Sequence, residues 1–477
     1  MSDIHFGTDG WRGVIGDDFT FQSVRAVAGA AAEVFARDVE GDLCGKRMVV
    51  GYDMRFEADS FAAAVAEVLA QRGFDVLLSD RPLPTPGVCY CVAHDDNAVG
   101  GLMLTASHNP SKWLGIKVRM TDGGASPASF TDRIEELLDS SEAPSVSSPE
   151  PGKVFKTDLV GIYLEGIHRS MARFTPPSTP SIEPIKIIID PMYGADQGLL
   201  ADLMREQGVE VVEIHAQKNP GFGGLHPEPI APWTDEASAA VIEHDADGAF
   251  IVDGDGDRIG AIDEHGTYIT PHRILGLLIQ HLVEDLGRRG RVVKTLALSK
   301  TIDHLCEQLD IPLDVRPIGF KWVYEEMLKG DVLIGGEESG GIGIAEHVLE
   351  RDGMLMALLL LQMMRVRNKT LGELVADFEA HVGNLHYKRR DLKLDEASAQ
   401  RFREELVHES PTEMAGKAVR SIDRLDGLKL VFDDDEWLLL RGSGTEPLIR
   451  IYSEANTPEQ LDAYLEAGSA FARGENA

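Results

Sequence analysis

The chain has 477 residues, 43% of them hydrophobic, enough for several buried cores and too many for one domain of ordinary size. Aspartate and glutamate number 79 against 46 lysines and arginines, a formal charge of -33 with neutral histidines. A small disulfide-stapled fold and a disordered chain are excluded, and the negative field repels nucleic acid and anionic lipid while still allowing a local cationic funnel for a small anion.

Lysine supplies only 16 of the basic residues and arginine 30, a surplus of acid over base that suits a salty or osmotically demanding interior. Met1 to Gly10 lacks a cationic head followed by an apolar run, and no window approaches about 18 continuous apolar residues. The richest window, 354–364, is too short to cross a bilayer, so the expectation is a cytoplasmic protein with no membrane partner. Cys44, Cys89, Cys91 and Cys306 show no metal-knuckle spacing, and Cys89 and Cys91 lie in an apolar segment that reads as a strand.

In chain order, 47–53 reads as a buried strand ending in an acidic turn, and 58–71 as an amphipathic helix with Phe61, Val65, Val68 and Leu69 on one face. The segment 76–79 is apolar again, and 99–104 is a strand that empties into Thr105-Ala106-Ser107-His108-Asn109-Pro110. Breaks rich in proline and serine at 139–152 and 174–184 flank a helix expected at 158–172. The alternation restarts with strands at 185–189 and 248–252, and again with a strand at 292–298, a helix at 302–309 and a strand at 332–334. From about residue 371 it gives way to a smaller α+β module with strands at 428–432, 436–440 and 448–453 around the turn Asp433-Asp434-Asp435. A closing helix at 458–473 carries Pro458 near its start, where the missing amide costs nothing. Three α/β cycles and an α+β tail place domains at 1–155, 156–260, 261–370 and 371–477.

Asp253-Gly254-Asp255-Gly256-Asp257-Arg258 follows a strand directly, and glycines that bend the backbone allow three alternating carboxylates to converge on a hard cation. The later glutamate of a calcium-binding EF-hand loop is missing, which favours Mg²⁺. With that site in the chain, Ser107 becomes a candidate phosphoryl carrier rather than a plain helix cap. His108 and Lys117 stand at the same loop mouth as possible participants. Arg441-Gly442-Ser443-Gly444-Thr445-Glu446-Pro447 offers amides, hydroxyls and a guanidinium to wrap a phosphate, with Arg450 adding charge from the next strand. It lacks the Gly-Lys-Ser/Thr ending of a P-loop, which argues against nucleoside triphosphate hydrolysis. Gly335-Gly336-Glu337-Glu338-Ser339-Gly340-Gly341 also follows a strand and presents groups suited to sugar hydroxyls.

In this order the segments resemble the α-D-phosphohexomutase family, which includes phosphoglucomutases, phosphomannomutases and phosphoglucosamine mutases. The resemblance spans essentially the whole chain and implies four domains around a cleft: three similar α/β domains with mixed sheets and a smaller α+β domain. It implies that Ser107 is the active-site phosphoserine, that Asp253, Asp255 and Asp257 bind Mg²⁺ together with it, and that Arg12 and Arg258 stand near the reacting phosphate. Arg12 belongs to Gly7-Thr8-Asp9-Gly10-Trp11-Arg12-Gly13, which looks like the family's opening active-site segment. It implies further that Lys117 transfers a proton, that Glu337 and Ser339 read the sugar, that Lys321 in Gly319-Phe320-Lys321 helps hold substrate, and that Arg441, Ser443, Gly444 and Thr445 grip the distal phosphate.

Two departures stand out. Leu114 replaces an asparagine common before the glycine and lysine that follow the serine loop. Gly341 stands where phosphomannomutase-like and phosphoglucosamine-like members commonly carry histidine, so His347 and Arg351 are read as substitutes for the missing contact. Glu337-Glu338-Ser339 with Gly341 points to a phosphoglucomutase interconverting glucose 1-phosphate and glucose 6-phosphate, with glucose 1,6-bisphosphate as intermediate and activator. Mannose phosphates are the close alternative and glucosamine phosphates the next. A phosphosugar-binding protein without catalysis would not need Ser107 and three aspartates together, and a phosphatase would release inorganic phosphate. The expected assembly is a monomer or homodimer.

Overall fold

The computed structural model describes residues 4–7, 9–139, 150–176, 184–433, 435–443 and 447–475. The described chain forms four main sheets in sequence. The first has seven strands in the order Phe6–Gly7, Gly10–Val14, Trp113–Arg119, Ala98–Leu104, Arg47–Tyr52, Asp75–Ser79 and Val154–Thr157. The second runs Tyr268–Ile269, Ile259–Ile262, Gly248–Val252, Lys186–Asp190 and Glu210–Glu213. The third runs Leu313–Arg316, Arg291–Thr295, Val332–Gly336 and Ile342–Gly343. All three are mixed, and one motif recurs in them. A strand parallel to its neighbour on one side leaves the sheet, makes a loop and returns antiparallel on the other. The serine loop, the aspartate loop and the Glu337 loop are these three equivalent connections, which is how segments so distant in sequence share one kind of placement.

The fourth sheet is wholly antiparallel, in the order His386–Lys393, Leu448–Ala455, Trp437–Gly442, Leu428–Val431 and Ser421–Asp423. Helix Pro458–Ala472 packs on it, with Thr457 as N-cap and Pro458 in its first turn as expected. Three similar α/β units and a smaller α+β unit therefore make up the chain. The 433–435 turn falls partly outside the described residues, as do the two proline-rich and serine-rich breaks.

The helix expected at 58–71 forms at Ala58–Gln71, with Phe61, Val65 and Leu69 buried. The apolar window at 354–364 lies inside helix Gly353–Arg367, whose Leu358 to Leu361 are all buried. Each such leucine contributes about 1.5–3 kcal/mol relative to exposure. Asp352 caps this helix by accepting from Leu355 N at 2.9 Å, and the helix packs on strand Ile259–Ile262 and helix Pro271–Gln280, joining the second and third units. No helix among the described residues is long and apolar enough to cross a membrane.

The expected strand around Cys89 and Cys91 is instead a helix, Thr85–Ala93, buried along nearly its whole length. A helix covered on every side carries no polar stripe, so its apolar run has no period to separate it from a buried strand. Pro84 at its N-cap and Pro86 in its first turn are the local signals for the helical start.

Candidate active site

Ser107 follows strand Ala98–Leu104 with φ +48°, a left-handed conformation that costs a non-glycine residue about 1–3 kcal/mol. The loop is over-determined by buried polar partners. Thr105 Oγ1 accepts from Ser107 N at 2.8 Å and donates to Asp53 Oδ2 at 2.7 Å. Arg55, 3% exposed, donates through Nη1 to the carbonyls of Pro110 and Trp113, both at 3.0 Å. Its Nη2 donates to Ser107 O at 2.5 Å and Asn109 O at 2.7 Å, while Nε is held by Asp53 and the guanidinium lies over Phe222 at 4.8 Å. This scaffold leaves Ser107 Oγ donating to Asp253 Oδ2 at 2.9 Å, with His108 Nδ1 at 3.3 Å. Burial, reinforced by Arg258, Arg12, Lys117 and Arg55, pushes the His108 pKa well below its ordinary value, so the ring is neutral.

Asp253, Asp255 and Asp257 are fully buried, and one oxygen of each lies within 4.8 Å of the others. Asp257 N and Arg258 N donate to Asp253 Oδ1 at 2.9 and 3.1 Å, and Thr85 Oγ1 donates to Asp255 Oδ2 at 2.6 Å. The first and third units thus both hold the aspartate loop, since Gly353 N also donates to Gly256 O at 3.0 Å. Burial, then the charges of Asp257 and Asp255, raises the Asp253 pKa well above the usual carboxylate range. Asp255 is lowered instead, because Lys117 outweighs burial. Asp255 Oδ1 and Asp257 Oδ1 are buried without a hydrogen-bond donor. An all-oxygen donor set with orphaned acceptors fits a hard divalent cation such as Mg²⁺.

Lys117 Nζ lies 2.9 Å from Asp9 Oδ2 and Asp255 Oδ2 and 3.0 Å from Asp257 Oδ2. Burial alone would lower its pKa, but these three carboxylates reverse that and hold the ammonium above its ordinary value. Arg12 and Arg258 complete the cationic side, each with a buried Nε that has no hydrogen-bond acceptor.

The Glu337 loop is brought alongside by a bridge between Arg258 and Gly341 and by the bond from Ile259 N to Gly340 O at 3.0 Å. Glu337 is buried, and burial against the pull of Arg351 raises its pKa to about 7. Ser339 stands beside it, partly exposed. Arg351 is engaged on all sides: Nη2 meets Asp257 at 2.7 Å and Asp9 at 3.2 Å, Nη1 meets Glu337 at 3.3 Å, and Nε meets Glu350 at 3.1 Å. It ties the first three units together. A Cβ on Gly341 would stand 2.3 Å from Arg351 Cδ, so residue 341 is glycine because this side chain runs through the space.

His347 does not reach the cleft. Its Nδ1 pairs with Ser170 Oγ at 2.8 Å and its Nε2 with Asp352 Oδ2 at 3.0 Å, and the ring stacks on Tyr90 at 5.5 Å. With both nitrogens occupied in the core, it offers no contact to a ligand. Lys321 is exposed, its Nζ 4.7 Å over the Trp322 ring.

In the last unit Arg441 and Arg450 are direct cross-strand partners. Like charges placed opposite one another repel unless an anion is shared between them. Arg441 Nε donates to Asp426 Oδ2 at 2.8 Å, and Asp426 also accepts from Ile318 N at 2.9 Å, which links this unit to the turn before Phe320. Arg450 Nε is buried without an acceptor. Ser443 lies at the end of the same strand, 8% exposed, while Gly444 and Thr445 fall outside the described residues, as does Thr8 of the opening segment.

Sequence reasoning missed Asp9, Asp53, Arg55, Arg119 and Glu350 as members of the cluster. Arg119 joins Asp9 at 3.3 Å and Glu350 at 2.6 Å, fully buried. Its signal was the alternation Lys117, Arg119 on one face of a strand, and that of Arg55 was a charged pair just past an apolar strand.

The four units match, in order, the family models for phosphoglucomutase/phosphomannomutase alpha/beta/alpha domain I over residues 3–145, domain II over 163–266 and domain III over 270–381, and the C-terminal domain over 365–468. The chain belongs to the phosphoglucomutase/phosphomannomutase family. Similar curated proteins include phosphoglucosamine mutase of Pseudomonas putida strain F1, 31% identical over 98% of both chains, and the phosphoglucomutase/phosphomannomutase of Thermococcus kodakarensis, 29% identical over 97% of both. Among solved structures, a putative phosphomannomutase from Thermus thermophilus superposes with a TM-score of 0.82 at 35% identity over 98% of both chains. Membership in this superfamily together with the aspartate cluster makes the chain an enzyme of phosphohexomutase type, with a site built for metal-assisted phosphoryl transfer. Phosphoglucosamine mutases of Limosilactobacillus reuteri and Pseudomonas aeruginosa, 30% and 31% identical, are also among the similar curated proteins, so phosphoglucomutase itself is not the best-supported member of the family for this chain.

Proposed function

We propose that this phosphohexomutase moves a phosphoryl group between the 1- and 6-positions of a hexose by way of Ser107, and that glucosamine phosphate is its preferred substrate. The observation that carries the chemistry is Ser107 Oγ, 2.9 Å from Asp253 in a buried trio of carboxylates with unpartnered oxygens. Asp253, Asp255, Asp257 and phosphorylated Ser107 would hold Mg²⁺, which when bound neutralises charge on a transferring phosphoryl group. Phospho-Ser107 gives its phosphoryl group to the free hydroxyl of a hexose monophosphate, breaking the P–Oγ bond and forming a P–O bond to the sugar, while the proton lost by the sugar hydroxyl ends on Ser107 Oγ and restores the serine hydroxyl. The bisphosphate turns over in the cleft, and its other phosphate returns to Ser107, leaving the positional isomer.

Arg12 and Arg258 stabilise the reacting phosphate, and Arg441, Ser443 and Arg450, with Gly444 and Thr445, hold the distal one. Glu337 and Ser339 bind sugar hydroxyls. Lys117, whose Nζ lies 2.9 Å from Asp255 and 3.0 Å from Asp257, is the candidate for moving the hydroxyl proton, since Mg²⁺ on those two carboxylates would offset the charge that otherwise holds its ammonium. Arg351 positions Asp257 and Glu337 rather than touching the sugar.

The preference for glucose rests on the Glu337-Glu338-Ser339 run and Gly341, and the glycine is accounted for equally by the Arg351 side chain, which a Cβ at 341 would crowd. The relatives at 30–31% identity support glucosamine, and the acidic pair Glu337 and Glu338 suits its ammonium. Mannose phosphate is the second reading, favoured by the 35% identity to the Thermus structure.

A phosphorus NMR time course with Mg²⁺ and catalytic glucose 1,6-bisphosphate tests this, with the 1-phosphates of glucosamine, mannose and glucose in parallel. Glucosamine 1-phosphate is expected to convert fastest, without inorganic phosphate building up. A faster mannose or glucose tube moves the sugar assignment, and inorganic phosphate released in proportion to substrate lost replaces mutase with phosphatase. Ser107→Ala is expected to fold and to lose at least about 10³-fold in turnover. Turnover at the normal rate would sink the carrier role.

A further inference from the structure

At the end of strand Lys186–Asp190 in the second unit, two carboxylates clamp one imidazole. His215 Nδ1 lies 3.0 Å from both Asp190 Oδ1 and Asp190 Oδ2, and its Nε2 lies 2.9 Å from Glu236 Oε2. Asp190 is fully buried and the His215 side chain 8% exposed, while that of Glu236, in the first turn of helix Asp235–His244, is open to solvent. Carboxylates accept and do not donate, so both ring nitrogens carry hydrogens and the ring is an imidazolium. Burial alone would lower the His215 pKa, but the hydrogen bond and charge of Asp190, with those of Glu236, reverse this and hold it above the ordinary value. Two further titratable groups stand here. The Tyr193 ring lies 4.7 Å from that of His215, and Glu213, on the strand leading to His215, is occupied by Gly198 N at 2.8 Å.

The same pair holds the turn that backs the aspartate loop. Met192 N donates to Asp190 Oδ1 at 2.7 Å, and Tyr193 N to His215 O at 3.1 Å. Met192, Tyr193 and His215 have φ +49°, +58° and +50°, left-handed non-glycine residues that persist only where their surroundings over-determine them. The residues that follow meet Gly254. Ala195 N donates to Gly254 O at 3.1 Å, and a Cβ on Gly194 would stand 2.7 Å from the same oxygen. Gly254 joins Asp253 to Asp255 and backs closely on Ser107 O, so a shift of the turn passes directly to the spacing between the serine and its carboxylates.

We propose that His215 is a positioning residue for phosphoryl transfer: as an imidazolium between Asp190 and Glu236 it fixes the 191–195 turn against Gly254 of the aspartate loop, and loss of its proton slows turnover. With the proton gone, buried Asp190 has no counter-charge and one ring nitrogen turns a lone pair toward a carboxylate. One of the two anchors of the ring is lost, and the strained backbone of His215, whose carbonyl holds Tyr193 N, is free to move. The support is therefore complete below the folded pKa of the ring and is lost as pH rises through it. The inference rests on the reading of Ser107 and Asp253 as the reacting centre.

The test follows the His215 ring by NMR in histidine-labelled full-length protein, beside kcat on whichever hexose phosphate converts fastest, from about pH 6 to 9. The ring is expected to carry two protons at neutral pH and to titrate above the ordinary histidine range, with kcat falling about fivefold or more through the same midpoint. Glu236→Gln alters an exposed side chain and removes one of the two anchoring charges. It is expected to lower both midpoints together by about 0.5 pH units or more. The affinity for Mg²⁺, read by titration calorimetry over the same range, is expected to weaken about threefold or more across the wild-type midpoint and to follow it in the variant. Where no hexose phosphate is turned over at any pH, the mutase reading fails and the Mg²⁺ affinity alone decides the role of His215. A ring that carries one proton at neutral pH, or a ring midpoint that moves in Glu236→Gln while kcat and Mg²⁺ affinity keep their wild-type profiles, would overturn the proposal.

Discussion

Ser107 keeps its left-handed backbone because Arg55 binds four carbonyls of the loop, a fork that only a planar guanidinium spans. Arg55→Lys keeps the charge but leaves several of those carbonyls unpaired. It is expected to lower kcat about 10- to 100-fold with little change in KM, and to lower unfolding stability by about 2–4 kcal/mol. Steady-state kinetics beside denaturant melts separate the two effects. A raised KM with kcat unchanged would instead mean that the residue acts by holding substrate. The contiguous runs around Ser107 and Asp253 were legible in the sequence because their chemistry is compressed into six residues. Arg55, Asp9 and Arg119 were not, since each serves the site from a different strand end and meets its partners only through the fold.

At the scale of elements, the three strand-loop-strand connections put the serine, aspartate and Glu337 loops in equivalent places, and the sequence revealed this through the strand that enters each one. The strands that return were harder to see, since Ile342–Gly343 is two residues long and carries no alternation of its own. The helix Thr85–Ala93 was hidden for the opposite reason, being apolar on every face, yet its Thr85 supplies a direct bond to Asp255. The meeting of the first two loops rests on one glycine. A Cβ at Gly254 would stand 2.7 Å from the Ser107 carbonyl oxygen, backbone against side chain with nothing flexible to yield. Gly254→Ala is expected to retain the fold and cost at least about 10²-fold in kcat, as the hydroxyl and its carboxylates are driven apart. Unchanged kcat would show that the two loops tolerate a wider spacing.

Across the whole molecule, charged side chains rather than apolar ones join the units at the cleft, with Arg351 reaching Asp9, Asp257 and Glu337. The contact between the third and last units is different. Trp437, Leu439 and Tyr452 pack on Leu296 and Ala297, and Lys429, 5% exposed, is enclosed there with Nζ donating to Leu296 O at 2.7 Å and lying 4.0 Å over Trp437. Burial first, then Lys294 and Lys300, lowers its pKa to about 7. Between that value and the ordinary lysine range the unfolded chain binds the proton more readily than the folded one. Stability from this group is therefore complete above the ordinary lysine pKa and is lost as pH falls through 7. Lys429→Met is expected to flatten the rise of stability between pH 7 and 10, a difference of up to roughly 4 kcal/mol, measured by denaturant melts across that window.

The guanidinium and ammonium groups of the cleft lie inside a chain whose formal charge as a whole is -33. A doubly charged phosphosugar must cross a repelling outer field before it meets the attracting inner one, and the two have different ranges. Added salt shortens the outer field first, because the Debye length falls to about 8 Å near physiological ionic strength while contacts at hydrogen-bond distance are little screened. Capture should therefore quicken with salt: kcat/KM is expected to rise about two- to fivefold between 0.01 and 0.15 M NaCl at fixed Mg²⁺. A monotonic fall over that range would mean that the inner cations govern the approach from afar.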